Sequence, residues 1–289
     1  MSYKLFIAKL FSKILPSKFY LRLMVFFKSG EIISFSKPKT MNAKLQWKKI
    51  NAYEPIHTII ADKLTVREHV TSVIGEEYLI PILKVYNQID EISLEGLPDV
   101  FVFKSNNGSS NVKIINRKKE NISDPELRDI AQRWFKDDYY GWTKERQYKD
   151  IKTKIFAEQY LSNELGEPPN DYKFHCFSGK VKFINVDMDR FKKHKRAFFD
   201  PGWNNVPFDW GEEYVEKVTN IEKPEKLEKM ICLAEKLSKG FDYIRVDFYY
   251  ARGRIYFGEL TLHPTSGFKR FYPEEYNRKL GKLIMNPKG

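Results

Sequence analysis

Two strand-like runs near the carboxyl end of the chain restrict its fold more than any other feature. The runs YIRVDFYY (residues 243–250) and RIYFGELT (residues 254–261) are rich in β-branched and aromatic residues, a composition that predicts two β-strands. With residues 252–254 as the loop of a hairpin, Asp247 lies directly opposite Glu259, and directly paired residues share one face of an antiparallel ladder. The hairpin therefore brings two carboxylates together on one face of a sheet.

Like charges that lie directly opposite each other destabilise a sheet, so the two carboxylates need a counter-charge or water. Arg245 lies on the same strand face, and the same register pairs it with Thr261. One explanation is that Arg245 or solvent neutralises the pair. The other is a divalent cation, because Mg²⁺ takes one or two protein carboxylates and completes its shell with water and phosphate oxygens. The hairpin alone leaves both explanations open.

The composition is that of an ordinary globular protein. The 289 residues are 42% hydrophobic and 30% charged, which sets disordered and fibrous classes aside and allows two or three subdomains. Cys176 and Cys232 are the only cysteines in the sequence, which excludes a disulfide scaffold and a cysteine-based zinc site and fits a reducing compartment. The net charge of +12 predicts an anionic partner such as a nucleotide, an acidic polysaccharide, a nucleic acid or an anionic lipid.

The first 28 residues form a basic, amphipathic segment that is interrupted by Pro16. The segment lacks a small-residue cleavage pattern, so we do not interpret it as a signal peptide, and no apolar run in the chain reaches the ~18 residues of a membrane span. Two interpretations stay open. A helix pair packed on the domain with its lysines in water is the favoured one, and peripheral contact with an anionic membrane surface is the other.

The order of the predicted elements indicates an α+β protein. Residues 1 to about 95 are mainly helical by their apolar spacing and their Pro and Gly breaks. Beyond them the strand patterns VFVFK, KIINR and KIFAEQYL and the hairpin of YKFHCF with KVKFINV alternate with helices that follow Asp124 and Pro224. This mixture predicts mainly antiparallel sheets rather than a doubly wound parallel sheet.

Two loops carry residues suited to nucleotide binding. In FVFKSNNGSSNVKII a strand delivers Lys104 to a loop of small residues around Gly108, and successive N–H groups in such a loop can cradle phosphate oxygens. An ordinary Asn-Gly turn explains the loop equally well. In KIFAEQYL the strand ends at residues 158–161, whose backbone groups can pair with an adenine edge, although a simple strand-to-loop junction has the same pattern.

The order of these features resembles that of the ATP-grasp ligases. More closely, the motifs ADKLTVREHV, GEEYLIPIL, LPDVFVFKSNNGSS, DYKFHCFSGKVKF, YIRVDFYY and GELTLHPTSGFKRF resemble the TupA-like ATP-grasp family over nearly the whole chain. The resemblance implies two α+β lobes with mainly antiparallel sheets after a mostly helical N-terminal domain. We accordingly expect an acceptor-side domain over residues 1–95, a small lobe with the phosphate loop over 96–160, and a large lobe with the magnesium-binding hairpin over 161–289.

The resemblance also implies site residues, position by position. Catalytic roles fall on Arg245 beside the reacting carboxyl group, on Lys104 at the phosphates and on Arg190. Nucleotide contacts fall on Lys104, on the loop Ser105, Asn106, Asn107, Gly108, Ser109 and Ser110, on the adenine hinge Glu158, Gln159, Tyr160 and Leu161, and on Lys173. Metal ligation falls on Asp247, Glu259 and Thr261. The chain departs from the family at Thr261, where many members have Asn, and at Asn107, where we expect His.

The activity that the resemblance implies is ATP- and Mg²⁺-dependent joining of a carboxylate to an amine through an acyl phosphate. TupA-like members are associated with bacterial cell-surface polymers such as capsule or cell-wall polysaccharides, so the expected substrate is a uronic acid or a similar precursor that receives an amino acid or a peptide. The expected partners are these small molecules and no nucleic acid. The expected location is the cytoplasm, with membrane contact left open as above.

Two other functions are compatible with parts of the sequence. The DMD motif at residues 187–189 has the Asp-x-Asp form with which many glycosyltransferases hold a metal and a nucleotide sugar, but this interpretation leaves Lys104, Asp247 and Glu259 without a role. A basic module for an anionic polymer is the third candidate, based on NRKKEN and RFKKHKR. It is the least favoured, because most aromatic residues follow core patterns rather than the exposed pattern of stacking platforms.

Overall fold

The computed structural model describes residues 3–190, 192–211 and 215–285. Residues 1–2 of the predicted N-terminal domain and residues 286–289 of the predicted large lobe lie outside the described residues. The helices are α1 (Tyr3–Ile14), α2 (Ser17–Ser29), α3 (Met41–Asn51), α4 (Pro55–Ala61), α5 (Val66–Ile74), α6 (Asp124–Phe135), α7 (Tyr139–Thr143), α8 (Leu227–Leu237) and α9 (Glu275–Gly281). The strands are β1 (Ile82–Tyr86), β2 (Val100–Ser105), β3 (Val112–Asn116), β4 (Ile155–Gln159), β5 (Asp171–Phe177), β6 (Lys180–Met188), β7 (Lys195–Phe199), β8 (Asp209–Gly211), β9 (Glu216–Lys217), β10 (Tyr243–Ala251), β11 (Arg254–Thr261) and β12 (Arg270–Tyr272).

The first sheet has the strand order β1-β4-β2-β3, and its neighbours are antiparallel. Helix α6 begins at a capping box of Ser123 and Glu126 with a proline in the first turn, which is the start that the sequence predicts. Its apolar side packs on one face of this sheet, where the buried residues are Phe101, Phe103, Ile115, Leu127, Ala131 and Ile155. Strand β1 lies on the N-terminal side of the predicted boundary at residue 95, yet it is hydrogen-bonded into this sheet.

The second sheet has the order β11-β10-β5-β6-β7-β9. Among the described strands of this sheet, only β7 and β9 pair in parallel, so the predicted α+β class with mainly antiparallel sheets is confirmed. Helices α4, α5 and α8 cover one face of the sheet, in a core that includes Ile60, Val66, Val70, Phe174, Met230, Val246, Phe248 and Leu260. The opposite face therefore remains for the site.

The hairpin of β10 and β11 reaches the predicted register by an unpredicted route. Ala251 pairs with Arg254, so the loop has two residues rather than the three that the sequence analysis assumed. A two-residue loop alone would move Asp247 out of line with Glu259, but the ladder shifts by one residue between Asp247 and Phe248. This β-bulge restores the pairing of Asp247 with Glu259, because a bulge inserts one extra residue into one strand.

The N-terminal helices pack against the rest of the molecule in two places. Helices α3 and α9 cover one end of the second sheet through Met41, Leu45, Leu280 and Ile284, and Lys44 Nζ donates a hydrogen bond of 2.5 Å to the Ile284 carbonyl. Helix α2 buries Tyr20, Leu21, Met24 and Val25 in a cluster with Phe35 and Phe268. No helix in the described part of the chain combines the length and apolar character that crossing a bilayer requires.

Candidate active site

A cavity of about 220 Å³ lies between the two sheets. The first sheet contributes Val102, Lys104, Val112 and Ile114 together with residues 158–161. The second sheet and the turn after β6 contribute Asp171, Asp187, Asp189, Arg190, Lys192 and Tyr249. One wall of the cavity is thus largely apolar and the other is charged, an arrangement that suits a ligand with a planar apolar part and an ionic part.

The charged wall follows from the strand registers of the second sheet. Directly paired residues share a face, and the ladders pair Asp171 with Asp187, Lys173 with both Asn185 and Asp247, Asp187 with Arg196, Arg245 with Thr261, and Asp247 with Glu259. Further along, the same face becomes aromatic and is sealed by α3 and α9, with Phe177, Phe183, Phe198 and Tyr243 buried there. The alternation of polar and apolar residues along β5 and β10 therefore gives one core face and one face for the site.

The carboxylates of the hairpin are bridged by Arg245. Arg245 Nε donates to Asp247 Oδ1 and Nη2 donates to Asp247 Oδ2, both at 2.7 Å. The same Nη2 lies 2.5 Å from Glu259 Oε1 and 3.1 Å from Thr261 Oγ1, and the Thr261 hydroxyl donates to Glu259 Oε1 at 2.8 Å. The like charges that the sequence places side by side thus share one guanidinium, whose planar fork suits this geometry.

Burial and shared cations separate the pKa values of the two carboxylates. Burial raises the pKa of Asp247 to about 6, although Arg245 and Lys173 act in the opposite direction. Burial also acts to raise the pKa of Glu259, but Arg245, Lys63 and Lys173 outweigh it and bring that pKa to about 2. Glu259 is therefore ionised at neutral pH, and Asp247 is the carboxylate of the pair that takes up a proton first as the pH falls.

The oxygen atoms of this cluster match magnesium in kind. Carboxylate and hydroxyl oxygens are hard ligands of the type that Mg²⁺ prefers. Three of the four carboxylate oxygens of Asp247 and Glu259 accept from Arg245, whereas Glu259 Oε2 has no hydrogen-bond partner among the described residues. The Glu259 side chain is 37% exposed and that of Asp247 is 3% exposed. Glu259 is thus the more accessible carboxylate of the two. Within the described residues, no three His, Cys, Asp or Glu side chains are grouped to hold a metal ion.

Lys173 and Arg190 occupy different positions relative to the cavity. The buried Lys173 ammonium forms an ion pair with Asp171 and lies 3.5 Å from carboxylate oxygens of both Asp187 and Asp247. Arg190 Nη1 lies 2.7 Å from Asp171 Oδ2, and the Arg190 side chain lines the cavity. Lys173 therefore lies among three carboxylates beneath the cavity, and Arg190 is the one of the two that a ligand in the cavity can contact.

Within the predicted phosphate loop, the first residues are structural. Ser105 and Asn106 are buried. The Asn106 side chain donates to Asp62 Oδ2 at 2.8 Å and to the Lys152 carbonyl at 3.2 Å, and it accepts from the Lys154 N–H at 2.8 Å. Both N–H donors of the Asn106 amide are thus occupied by these neighbours and brace the loop. In this arrangement the side chain has no donor left for the predicted contact with a phosphate.

The tip of the loop is more open. Gly108 has φ +71°, and a Cβ atom there would lie 3.0 Å from the Tyr139 ring, so both the backbone angle and the close approach require glycine. Ser109 Oγ donates to Tyr139 Oη at 3.0 Å. Ser109 and Ser110 are exposed, and Asn107 is half-buried. None of residues 105–110 is among the described residues that line the cavity, so the loop stands beside it.

The predicted adenine hinge lines the cavity along its whole length, from Glu158 to Leu161. The Glu158 carboxylate forms an ion pair with Lys104. The Gln159 N–H donates to the Pro81 carbonyl at 2.9 Å. The N–H groups of Tyr160 and Leu161 donate to no partner within the described part of the chain, and they are therefore the hinge donors that remain for a ligand.

The DMD motif does not form an open acidic pair. Asp187 accepts from Arg196 Nε at 2.7 Å and lies 2.9 Å from His194 Nε2, and its side chain is almost fully buried. Asp189 follows β6 with φ +51°. Arg196 and His194, which contact Asp187, are residues that the sequence analysis missed. The alternation of Lys195 to Phe199 could have indicated Arg196, but nothing in the sequence fixes its strand partner.

Comparisons with known proteins place this geometry in context. A family model described as TupA-like ATPgrasp matches residues 43–285, and a search of curated proteins gives no match. Among solved structures, the chain is similar to D-alanine–D-alanine ligase from Bacillus anthracis complexed with ATP, at 17% identity and TM-score 0.45 over 78% of this chain and 63% of that chain. It is also similar to the ATP-grasp ligase PsnB complexed with minimal precursor, at 12% identity and TM-score 0.39 over 76% and 58% of the two chains. The chain thus spans less than two thirds of each of these two proteins.

Proposed function

The chain belongs to the TupA-like ATP-grasp family, and on that premise we propose that it is an ATP-dependent carboxylate–amine ligase. The observation that carries the proposal is one cavity with Lys104 and the hinge 158–161 on one wall and the charged face of the second sheet on the other. The apolar wall suits a purine ring, and the charged wall suits a triphosphate and a reacting carboxylate.

The proposed chemistry follows from the leaving group. An amine cannot displace oxide from a carboxylate, because oxide is a very poor leaving group. The γ-phosphoryl group of ATP is therefore first transferred to a carboxylate oxygen, which gives an acyl phosphate and ADP. Attack by the amine nitrogen then forms the amide, releases inorganic phosphate and loses a proton. Arg245, whose pKa the neighbouring carboxylates keep high despite burial, would stay charged and stabilise the acyl phosphate and the tetrahedral oxyanion.

Magnesium is part of the proposal, with Glu259, Asp247 and Thr261 as its ligands. Bound there, the ion would neutralise charge on the phosphate oxygens. The protein's own contribution is to hold these oxygens on one sheet face at a fixed register and to keep Glu259 ionised through Arg245, Lys63 and Lys173. Lys104 would contact the phosphates after giving up its ion pair with Glu158.

We further propose an acidic sugar, such as a uronic acid of a cell-surface polysaccharide precursor, as the carboxylate substrate and an amino acid or a peptide as the amine. The net charge of +12 supports an anionic substrate.

The test of the proposed activity adds hydroxylamine to the reaction. Hydroxylamine attacks an acyl phosphate and converts it to a hydroxamate, which is the product measured. We expect hydroxamate from at least one uronic acid only with ATP and Mg²⁺ present, and ATP-independent transfer from a UDP-sugar would instead favour the glycosyltransferase.

The N-terminal helices support a second part of the proposal, peripheral binding to the inner surface of an anionic membrane. Residues 1–30 contain five lysines, one arginine and no acidic residue. Both helices expose large apolar side chains at helical spacing, which are Leu10, Phe11 and Ile14 on α1 and Phe19, Phe26 and Phe27 on α2. Exposed apolar residues set among basic ones are the composition of interfacial helices.

A further inference from the structure

The turn between α4 and α5, residues 62–65, is held rigidly beside the second sheet. Ile60 at the end of α4 and Val66 at the start of α5 are both buried in the core that contains Val246 and Leu260. Asp62 Oδ1 accepts from the Leu64 N–H at 2.8 Å and closes the turn. This turn belongs to the ADKLTVREHV motif, none of whose residues has been assigned a contact with the nucleotide above.

The same turn contacts the phosphate loop of the first sheet. The Lys63 N–H donates to the Asn106 carbonyl at 3.1 Å, and Asp62 Oδ2 accepts from Asn106 Nδ2 at 2.8 Å. Lys63 Nζ donates to the Gly108 carbonyl at 2.6 Å. Residues 62 and 63 therefore connect the helical region to the loop through Asn106 and Gly108.

Most cations around the cavity already have an acidic partner. Lys104 pairs with Glu158, Lys173 with Asp171, Arg190 with Asp171, Lys192 with Glu167, and Arg245 with Asp247 and Glu259. Lys63 differs, because its ammonium meets no carboxylate oxygen within 4 Å among the described residues and has the Gly108 carbonyl as its hydrogen-bond acceptor. An ammonium has three donors, so two of them remain for a ligand.

Arg67 is a second cation of this kind. It lies four residues after Lys63 and is half-buried, and its side chain forms no hydrogen bond or ion pair within the described part of the chain. Burial lowers the pKa of both side chains; the charge of Glu158 counteracts it for Arg67, and those of Glu259, Asp62 and Glu158 counteract it for Lys63. The position of Lys63 is fixed by its hydrogen bond to the phosphate loop, and Arg67 lies in the first turn of α5. Neither residue is among the described residues that line the cavity.

We propose that Lys63 and Arg67 bind the β- and γ-phosphate oxygens of the nucleotide, so that the helical N-terminal region supplies part of the triphosphate site. The proposal rests on the proposed function, since it assumes that ATP binds in the cavity. A triphosphate is a polyanion, and cations without an acidic partner can meet it without first breaking an ion pair. When the nucleotide binds, the hydrogen bond between Lys63 Nζ and the Gly108 carbonyl is either kept or replaced by a bond to a phosphate oxygen. In both cases phosphate binding by Lys63 affects the position of the loop.

The test is the affinity of the full-length protein for ATP, ADP and AMP with Mg²⁺, measured by titration calorimetry. We expect Lys63→Met and Arg67→Met each to weaken ATP binding at least tenfold and to leave AMP binding within about twofold, since AMP lacks the β- and γ-phosphates. Lys63→Arg should restore most of the affinity for ATP. Lys226→Met is the matched control, because Lys226 is exposed and also donates to a glycine carbonyl, that of Gly253 at 2.6 Å.

Two results would overturn the inference while leaving the proposed function intact. In the first, wild type binds ATP and Lys63→Met binds it equally well. In the second, Lys63→Met weakens ATP and AMP by the same factor, which would make Lys63 a brace of the loop. Wild type that binds none of the three nucleotides would contradict the proposed function as well. Arg67→Met does not touch the loop hydrogen bonds, so it keeps the test decisive if Lys63→Met fails to fold.

Discussion

At the scale of single residues, the site depends on one guanidinium that serves two carboxylates. Arg245 fills the space between Asp247 and Glu259 and hydrogen-bonds to both. Removing one partner of a buried charge pair commonly costs about 3–5 kcal/mol, so loss of Arg245 is expected to leave Asp247 as an uncompensated buried charge. The sequence left open whether Arg245 or a divalent cation compensates the charge of the two carboxylates. In the structure Arg245 is the counter-charge, and magnesium is proposed as a second cation at the same carboxylates.

Gly258 positions Asp247 from the neighbouring strand. A Cβ atom at residue 258 would lie 3.1 Å from the Asp247 carbonyl oxygen and 3.3 Å from Tyr249 Cε2, which is tighter than ordinary packing. We expect Gly258→Ala to lower the free energy of unfolding by about 1–3 kcal/mol and to reduce the extra stabilisation by MgATP, because Asp247 must move. Urea unfolding with and without MgATP measures both effects.

Gly253→Ala is the control for the Gly258 prediction. Gly253 has φ +71°, and no atom lies within 4 Å of the position that an alanine Cβ would occupy. Alanine there strains the backbone by roughly 1–2 kcal/mol without pressing on Asp247. This variant should lose stability and keep the MgATP increment. Equal loss of that increment in both variants would show that Gly258 acts through general stability and not through Asp247.

At the scale of elements, sequence patterns predicted seven of the twelve described strands, β2–β6, β10 and β11, but not β1, which lies in the region expected to be mainly helical. They also could not fix all of the strand registers. The alternation in YIRVDFYY predicted one polar and one apolar face, and β10 has both. The second hairpin, β5 with β6, also has a one-residue shift near Cys176, and no sequence signal marks it, whereas Gly258 is a signal for the first bulge. Because each shift changes which residues share a face, the full set of paired charges could not be derived from sequence.

The phosphate loop shows a second limit of prediction from sequence. Asn106 and Asn107 have the same side chain and adjacent positions, yet Asn106 is buried and fully hydrogen-bonded while Asn107 is half-buried. The partners of Asn106 come from residues 62, 152 and 154, which are more than 40 positions away. A loop motif carries no information about such distant partners, so the separation of structural from ligand-facing residues required the fold.

At the scale of the whole molecule, helices α1 and α2 carry basic residues and exposed apolar side chains, on which the proposed membrane contact depends. We expect the protein to sediment with vesicles that contain anionic lipid and not with neutral ones, and salt should weaken the binding because the basic residues contribute electrostatically. Replacing Phe11, Ile14 and Phe27 by Ser should release the protein from the vesicles. Leu165→Ser is the control, since Leu165 is exposed far along the chain; wild type that ignores anionic vesicles would contradict the membrane proposal.

The central claim is that the cavity binds ATP with a metal held by the hairpin carboxylates. The most direct measurement is thermal unfolding with ATP, with ATP plus Mg²⁺, and with a UDP-sugar plus Mn²⁺, on wild type and on Asp247→Asn combined with Glu259→Gln. A ligand at ~100 times its Kd adds about 2.7 kcal/mol to stability, and the ligand increments are compared because the double variant leaves Arg245 without its acidic partners. We predict that ATP with Mg²⁺ stabilises wild type and that the double variant loses the magnesium-dependent increment. Stabilisation by the UDP-sugar alone would contradict the ligase and favour a glycosyltransferase.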